Sequence, residues 1–191
     1  MKAVMISTQP KWCELIASGK KTIEVRKTRP KIDTPFKCYI YCTKCKPLVR
    51  QNIIDGKDII ANGKVIGEFV CDKIYDITPH FDTPTFPNQY ICDWDYGKEF
   101  DCLSFEELTS YLNGKQGYGW HISDLVIYDK PKEISEFYSI AKSGSDCCVG
   151  CIYHETPLEE LPCRSCDGER NYLYRPPQSW CYVEEKENEN E

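Results

Sequence analysis

Two cations and a carboxylate that could do chemistry fall within six positions, Lys21 to Arg26, in the run Ser18-Gly19-Lys20-Lys21-Thr22-Ile23-Glu24-Val25-Arg26. Thr22 to Arg26 alternates strictly. As a strand it turns Ile23 and Val25 to one face and Thr22, Glu24 and Arg26 to the other. Glu24 and Arg26 then stand roughly 7 Å apart along one face. A lysine beside a carboxylate binds an anionic group as a point charge, or, when partly buried, acts as a base or nucleophile. Arg26 offers a planar fork to phosphate or carboxylate. The competing reading is a Glu24–Arg26 ion pair that merely stabilises the rim of the fold, and both readings can hold together.

The second set of chemically capable residues is sulfur. There are thirteen cysteines, an odd number in a chain whose start carries no export-signal pattern. Reduced thiols are therefore expected, acting as small core residues or as metal ligands. Cys148-Val149-Gly150-Cys151 and Cys163-Arg164-Ser165-Cys166 are two Cys-x-x-Cys knuckles separated by eleven residues. That doubled motif suits four thiolates around a tetrahedral zinc. Such a site has no open position and is structural. Residues 145–170 contain few large apolar side chains, so a metal cross-link is what would order them. Gly150 and Gly168 permit the tight turns, while Cys147 and His154 are further ligand candidates. A flexible cysteine-rich loop or a redox pair is the alternative. Cys42-Thr43-Lys44-Cys45 is a third, isolated match and stays unassigned; Cys13, Cys38 and Cys71 lie in apolar contexts and read as core.

Trp120 and Trp180 are the candidate aromatic platforms. Stacking a base on such a ring contributes about 1–3 kcal/mol, although either tryptophan alone is more often a core residue. His121, beside Trp120, reads as structural. With three histidines (His80, His121 and His154), no Cys–His nucleophilic pair can be argued.

These residues need elements to position them. Lys2–Ser7 reads as a strand, and Gln9-Pro10 opens a helix in which proline occupies the first turn. Trp12, Leu15 and Ile16 recur at helical spacing, and Gly19 is placed to end the helix in the left-handed conformation. Lys21 therefore stands at a helix-to-strand corner. Phe36–Cys42 is a third strand. Ile59-Ile60 and Val65–Ile77 add β material across an Asn62-Gly63 hairpin turn. Residues 78–100, with Pro79, Pro84 and Pro87, read as a long irregular connection. Ser104 with Glu107 forms a capping box for a short helix. Trp120–Tyr128 reads as one strand, Pro131–Tyr138 as a short helix or turn, and Asn171–Arg175 with Trp180–Glu184 as a closing strand pair. Short strands broken by turns fit a small barrel with peripheral helices better than alternating βαβ units.

Composition sets the limits. At 191 residues and 41% hydrophobic, the chain can bury one core of ordinary size. The apolar N-terminal stretch is too short for a signal peptide, and no run approaches the length of a transmembrane helix. A cytoplasmic protein is the expectation. The net charge of −6 is uneven: residues 1–50 carry twelve Lys and Arg against three acids, +9, and the remainder carries −15. A basic first quarter on an acidic body suggests a local anion-binding surface, unless those cations are simply a solvated face. The acidic balance disfavours sequence-independent binding of long nucleic acids and leaves a small ligand or a single unpaired base acceptable.

The run Gly19 to Arg26 resembles the Gly-x-Lys-x-x-Glu-x-Arg signature of ASCH-domain proteins, with Lys21, Glu24 and Arg26 in place. The helix bearing Trp12, the segments Tyr39-Ile40-Tyr41-Cys42, Ile66-Gly67-Glu68-Phe69 and Gly119-Trp120-His121-Ile122-Ser123, and the ending Arg175-Pro176-Pro177-Gln178-Ser179-Trp180 are similar to bacterial and phage members. The resemblance implies an α+β fold: a small PUA-like β-barrel (1–142 and 171–184) with peripheral short helices. A cysteine-rich zinc-knuckle insertion (143–170) and an acidic tail (185–191) complete the expected organisation. It also implies recognition of RNA or a modified nucleoside in a cleft lined by Lys21, Glu24, Arg26, Trp120 and Trp180. Some small members are amidohydrolases that remove the acyl group of N4-acetylcytidine using a lysine, a threonine and a glutamate. Lys21 matches that lysine, but Glu24 stands where the threonine would be, and Glu106 or Glu107 are the nearest candidates for the glutamate. In that alternative Lys21 and Glu24 are the catalytic candidates. A third possibility is a regulatory domain whose acidic body contacts a basic protein.

Overall fold

The computed structural model describes residues 3–44, 52–54, 57–59, 63–80, 89–92, 102–139, 171–173 and 175–185. The zinc-knuckle candidates Cys148, Cys151, Cys163 and Cys166, with Cys147, His154 and Cys45, lie outside the described residues.

The chain opens with β1 (Ala3–Thr8), α1 (Pro10–Ala17), β2 (Ile23–Arg26) and β3 (Phe36–Cys42). Proline stands in the first turn of α1, and Gly19 follows its end at φ +69°, where a Cβ would be strained. A short hairpin, β4 (Asn52–Ile54) and β5 (Lys57–Ile59), pairs only with itself among the described residues. Asn62 lies outside the described residues; on either side of it, β5 pairs with β4 while the strand after Gly63 joins a different sheet. That strand is β6 (Val65–Cys71), and β7 (Ile74–His80) and β8 (Gln89–Cys92) follow. The region expected to be irregular thus contains a strand, β8, paired antiparallel with β7.

After α2 (Phe105–Leu112) come β9 (Gly117–His121), β10 (Ser123–Lys132), a 3-10 turn, β11 (Phe137–Ser139), β12 (Asn171–Tyr172) and β13 (Trp180–Glu185). The capping box of α2 is formed: the Ser104 hydroxyl accepts from the Glu107 N–H, and the Glu107 carboxylate accepts from the Ser104 N–H. The helix ends at Asn113 in the left-handed conformation.

Seven strands form one mixed sheet in the order β10-β6-β3-β1-β13-β11-β12, with β1 and β3 the parallel pair. Four form an antiparallel sheet, β2-β9-β7-β8. Two stretches read as β material are divided between these sheets. Val65–Ile77 breaks at Asp72-Lys73 into β6 and β7, and Trp120–Tyr128 breaks at Ile122 into β9 and β10. Asp124 takes φ +46° just beyond the second corner, and β10 is bulged against β6. The expected closing pair is also rearranged, because β12 and β13 do not pair with each other; β11 lies between them. The result is an α+β fold of two corner-joined sheets with few helices, and no closed barrel is formed among the described residues.

Strand alternation sorts the apolar residues into three layers. Val4, Ile6, Cys38, Ile40 and Ile66 meet Trp120 and Ile122 between the two sheets, with Cys13 and Ile16 of α1 against them. Ala3, Met5, Tyr39, Phe137 and Val183 pack on the other face of the seven-stranded sheet. Ile23, Val25, Tyr75 and Ile77 carry α2 through Leu108 and Leu112. Gly67 is required where β10 bulges against β6, since a Cβ there would lie 2.3 Å from the Val126 carbonyl oxygen. Among the described residues no helix is long and apolar enough to cross a membrane.

Candidate functional site

Ile23 and Val25 face α2, so Glu24 and Arg26 face the space between the sheets, as the alternation requires. In the β2–β9 register Glu24 is opposite Trp120, and Arg26 is opposite Tyr118. Lys21 enters the same space from the corner, where the Lys20 and Lys21 N–H groups both bond to the Leu15 carbonyl. Despite their charge the three side chains are buried, with Lys21 2%, Glu24 6% and Arg26 5% exposed.

Burial forces them to satisfy one another. The Glu24 carboxylate bridges both cations, at 2.8 Å from Arg26 Nη2 and 3.6 Å from Lys21 Nζ. Lys21 Nζ also lies 5.2 Å from the centre of the Trp12 ring. The Arg26 guanidinium also donates to three residues in two other segments. Nη2 donates to the Ser7 carbonyl (2.9 Å) and the Thr8 hydroxyl (3.1 Å), and Nη1 to the Ser179 carbonyl (3.2 Å). One guanidinium thus ties β2 to the end of β1 and to the turn before β13. Ser7, Thr8 and Ser179 were not legible as partners: their bonds join residues 18 to 153 positions apart, and no local pattern encodes that.

Two buried donors in this layer lack an acceptor among the described residues, Arg26 Nε and Trp120 Nε1. Trp120 is fully buried, edge-on to Phe36 at 5.7 Å and 6.0 Å from Trp180. Its ring faces are thus occupied by core neighbours, which leaves the indole N–H as its polar handle. Trp180 is half-buried and donates through Nε1 to the Thr28 hydroxyl at 2.9 Å.

Cys13 and Cys42 meet beside this cluster. Burial pushes the Cys13 thiol well above its ordinary range, and its hydrogen bond to Cys42 holds the Cys42 thiol below it. Cys13, Cys38 and Cys71 are core, as read, and Cys42 joins them. Elsewhere, His121 Nδ1 pairs with Asp72 at 2.6 Å. Partial burial raises the Asp72 carboxyl, but the hydrogen bond and charge of His121 outweigh it and bring the carboxyl below its ordinary range. Glu107, one of the guessed hydrolase carboxylates, is used in the helix cap and in an ion pair with Lys11 at 3.0 Å.

Residues 6–84 match the family model of the ASCH domain. No curated protein matches the chain in sequence. Among solved structures, a tyrosine-to-phenylalanine mutant of an ASCH protein from Zymomonas mobilis is 18% identical, with a TM-score of 0.52 over 96% of this chain and 91% of that one. The ASCH protein from Zymomonas mobilis without that change is 20% identical, with a TM-score of 0.51 over 95% of this chain and 87% of the other. At such identities the likeness is one of fold. The resemblance read from the Gly19–Arg26 run is borne out.

Proposed function

With an ASCH-domain match over residues 6–84 and the fold of ASCH proteins as the premise, we propose that the chain is a PUA-like recognition module. It takes RNA or a modified nucleoside at the corner between α1 and β2, with Lys21, Glu24 and Arg26 organising the site. The observation that carries this reading is the pair of acceptor-less buried donors, Arg26 Nε and Trp120 Nε1, flanking the Glu24 bridge. A buried donor without a partner costs about 1–3 kcal/mol. The carbonyl and ring-nitrogen acceptors of a nucleobase edge match those donors.

The alternative amidohydrolase reading is less favoured, because the Glu24 carboxylate is shared between two cations and does not stand free as a base. The test is titration of the isotope-labelled protein with cytidine, N4-acetylcytidine and a short single-stranded RNA, following the tryptophan indole N–H signals by NMR. A shift of the Trp120 indole signal that is lost in Lys21→Met, with the fold intact by circular dichroism, supports the site. No shift with any of the three ligands overturns it. Loss of the acetyl group from N4-acetylcytidine in the same samples would restore the enzyme reading.

We also propose a structural zinc held by Cys148, Cys151, Cys163 and Cys166, on the strength of the doubled knuckle spacing alone. Elemental analysis should find one zinc per chain, lost when Cys163 and Cys166 are replaced by serine. A metal-free, folded chain would refute it.

A further inference from the structure

Directly after Arg26 the chain runs through Lys27 to Thr34, and this loop walls a cleft of about 700 Å³. Lys73, Ile74 and Tyr118 also line it, and none of the three signature residues does. Four lining residues are cationic, Lys27, Arg29, Lys31 and Lys73, and one, Asp33, is acidic. This is a local reversal of sign in a chain of net charge −6.

The way these cations are held sets them apart. Lys11, Lys37, Lys64 and Lys132 each pair with a glutamate. Among the described residues none of the four cleft cations has a carboxylate partner, and three rest on tyrosine rings instead. Lys27 Nζ lies 4.9 Å from the centre of Tyr111, the Arg29 guanidinium carbon 5.5 Å from Tyr118, and Lys73 Nζ 4.2 Å from Tyr75. A cation resting on a ring is held more weakly than one hydrogen-bonded to an anion, so a phosphate can draw it away. Of the three rings Tyr118 is the one that lines the cleft, so it is the ring a departing cation leaves open to stack a base.

The loop itself is anchored. Trp180 Nε1 donates to the Thr28 hydroxyl, the Lys31 N–H donates to the Tyr182 hydroxyl at 2.7 Å, and Pro30 is buried between the exposed cations. Binding there loses little to ordering the backbone.

We propose that this cleft binds the phosphodiester backbone of a short single-stranded oligoribonucleotide, with Arg29 moving from Tyr118 to a phosphate and Tyr118 then stacking a base. The inference rests on the recognition of RNA proposed above and narrows its ligand to a strand with phosphates, as against a free nucleoside. The acidic remainder of the chain limits the contact to a few nucleotides.

The test is fluorescence anisotropy of labelled octauridylate with the full chain, in KCl from 25 to 200 mM. The double variant Arg29→Gln/Lys31→Gln should bind at least about 10-fold more weakly at low salt. Its slope of log affinity against log salt should flatten by about 1.4, because each phosphate contact on a single strand contributes about 0.7. Tyr118→Leu should lower affinity with the slope unchanged, and Lys64→Gln, outside the cleft, should change neither. Wild-type binding that the double variant leaves intact overturns the cleft but not the site at Lys21. Binding of cytidine or N4-acetylcytidine without binding of octauridylate does the same. Failure of all these ligands overturns both.

Discussion

Replacing Glu24 by glutamine keeps the side chain's shape and one acceptor oxygen but removes the charge that Lys21 and Arg26 share. In the folded protein that carboxylate lies 2.8 Å from Arg26 Nη2 and 3.6 Å from Lys21 Nζ, with all three residues less than a tenth exposed. An exposed pair would be worth about 0–1 kcal/mol. Removing one partner of a buried pair costs about 3–5 kcal/mol, because the remaining charge stays desolvated. Here two cations are affected, so Glu24→Gln should fall in the buried range, a large share of the roughly 5–15 kcal/mol that holds a domain folded. In urea, with a slope of about 1–3 kcal/mol per molar, the unfolding midpoint read by tryptophan fluorescence should drop by at least about 1 M. Lys21→Met should cost less, since it removes the longer contact and leaves the Glu24–Arg26 bond. The double variant Lys21→Met/Glu24→Gln should cost less than the sum of the singles, with a coupling of about 0.5–3 kcal/mol. A loss below about 1 kcal/mol for Glu24→Gln, or strict additivity, would refute the argument that burial governs this cluster.

Gly67→Ala should destabilise by about 1–3 kcal/mol in the same urea assay, because the new Cβ meets a backbone carbonyl 2.3 Å away that cannot rotate aside; an unchanged midpoint would show that β10 does not approach β6 so closely. Ser104→Ala should cost about 1 kcal/mol by removing the acceptor for the Glu107 N–H. Ser104→Gly should cost measurably less than that. The Asp72 carboxyl lies below its ordinary range in the fold, so its contribution is fully present above the unfolded value near about pH 4 and is lost as pH falls through the folded value. With the side chain 46% exposed the increment is about 0.2–1 kcal/mol. The fall in urea midpoint from pH 6 to pH 3 should therefore be smaller for Asp72→Asn than for wild type, and equal falls would contradict the pairing with His121. Burial pushes the Cys71 and Cys181 thiols up to about 12. At pH 8 both should resist iodoacetamide in the native protein and label in urea, as read by peptide mass mapping. Native labelling at the unfolded rate would place them outside the core.

Local chemistry was legible from the sequence because local rules govern it. Pro10 and Gly19 mark the two ends of α1 and the Ser104/Glu107 box the start of α2, and each acts within a turn of its own position. The alternation of Thr22 to Arg26 placed Glu24 and Arg26 on one face and Ile23 and Val25 on the other, and the structure keeps that division. The Gly-x-Lys-x-x-Glu-x-Arg run carried the ASCH resemblance, which the family match over residues 6–84 bears out.

Pairing between distant strands was not legible. Val65–Ile77 reads only as β material and Trp120–Tyr128 as one strand, yet each turns a corner into a second sheet, and β11 separates the two strands expected to pair at the end of the chain. Hydropathy records that a residue is buried but not which strand lies beside it. Lys21, Glu24 and Arg26 show the same division most clearly. Their order along the chain determined that two cations and a carboxylate would share one corner. Only the packing of the seven-stranded sheet against β2 and β9 decided that the corner is closed over, because burying Arg26 requires acceptors from Ser7, Thr8 and Ser179, which the chain brings together only when folded.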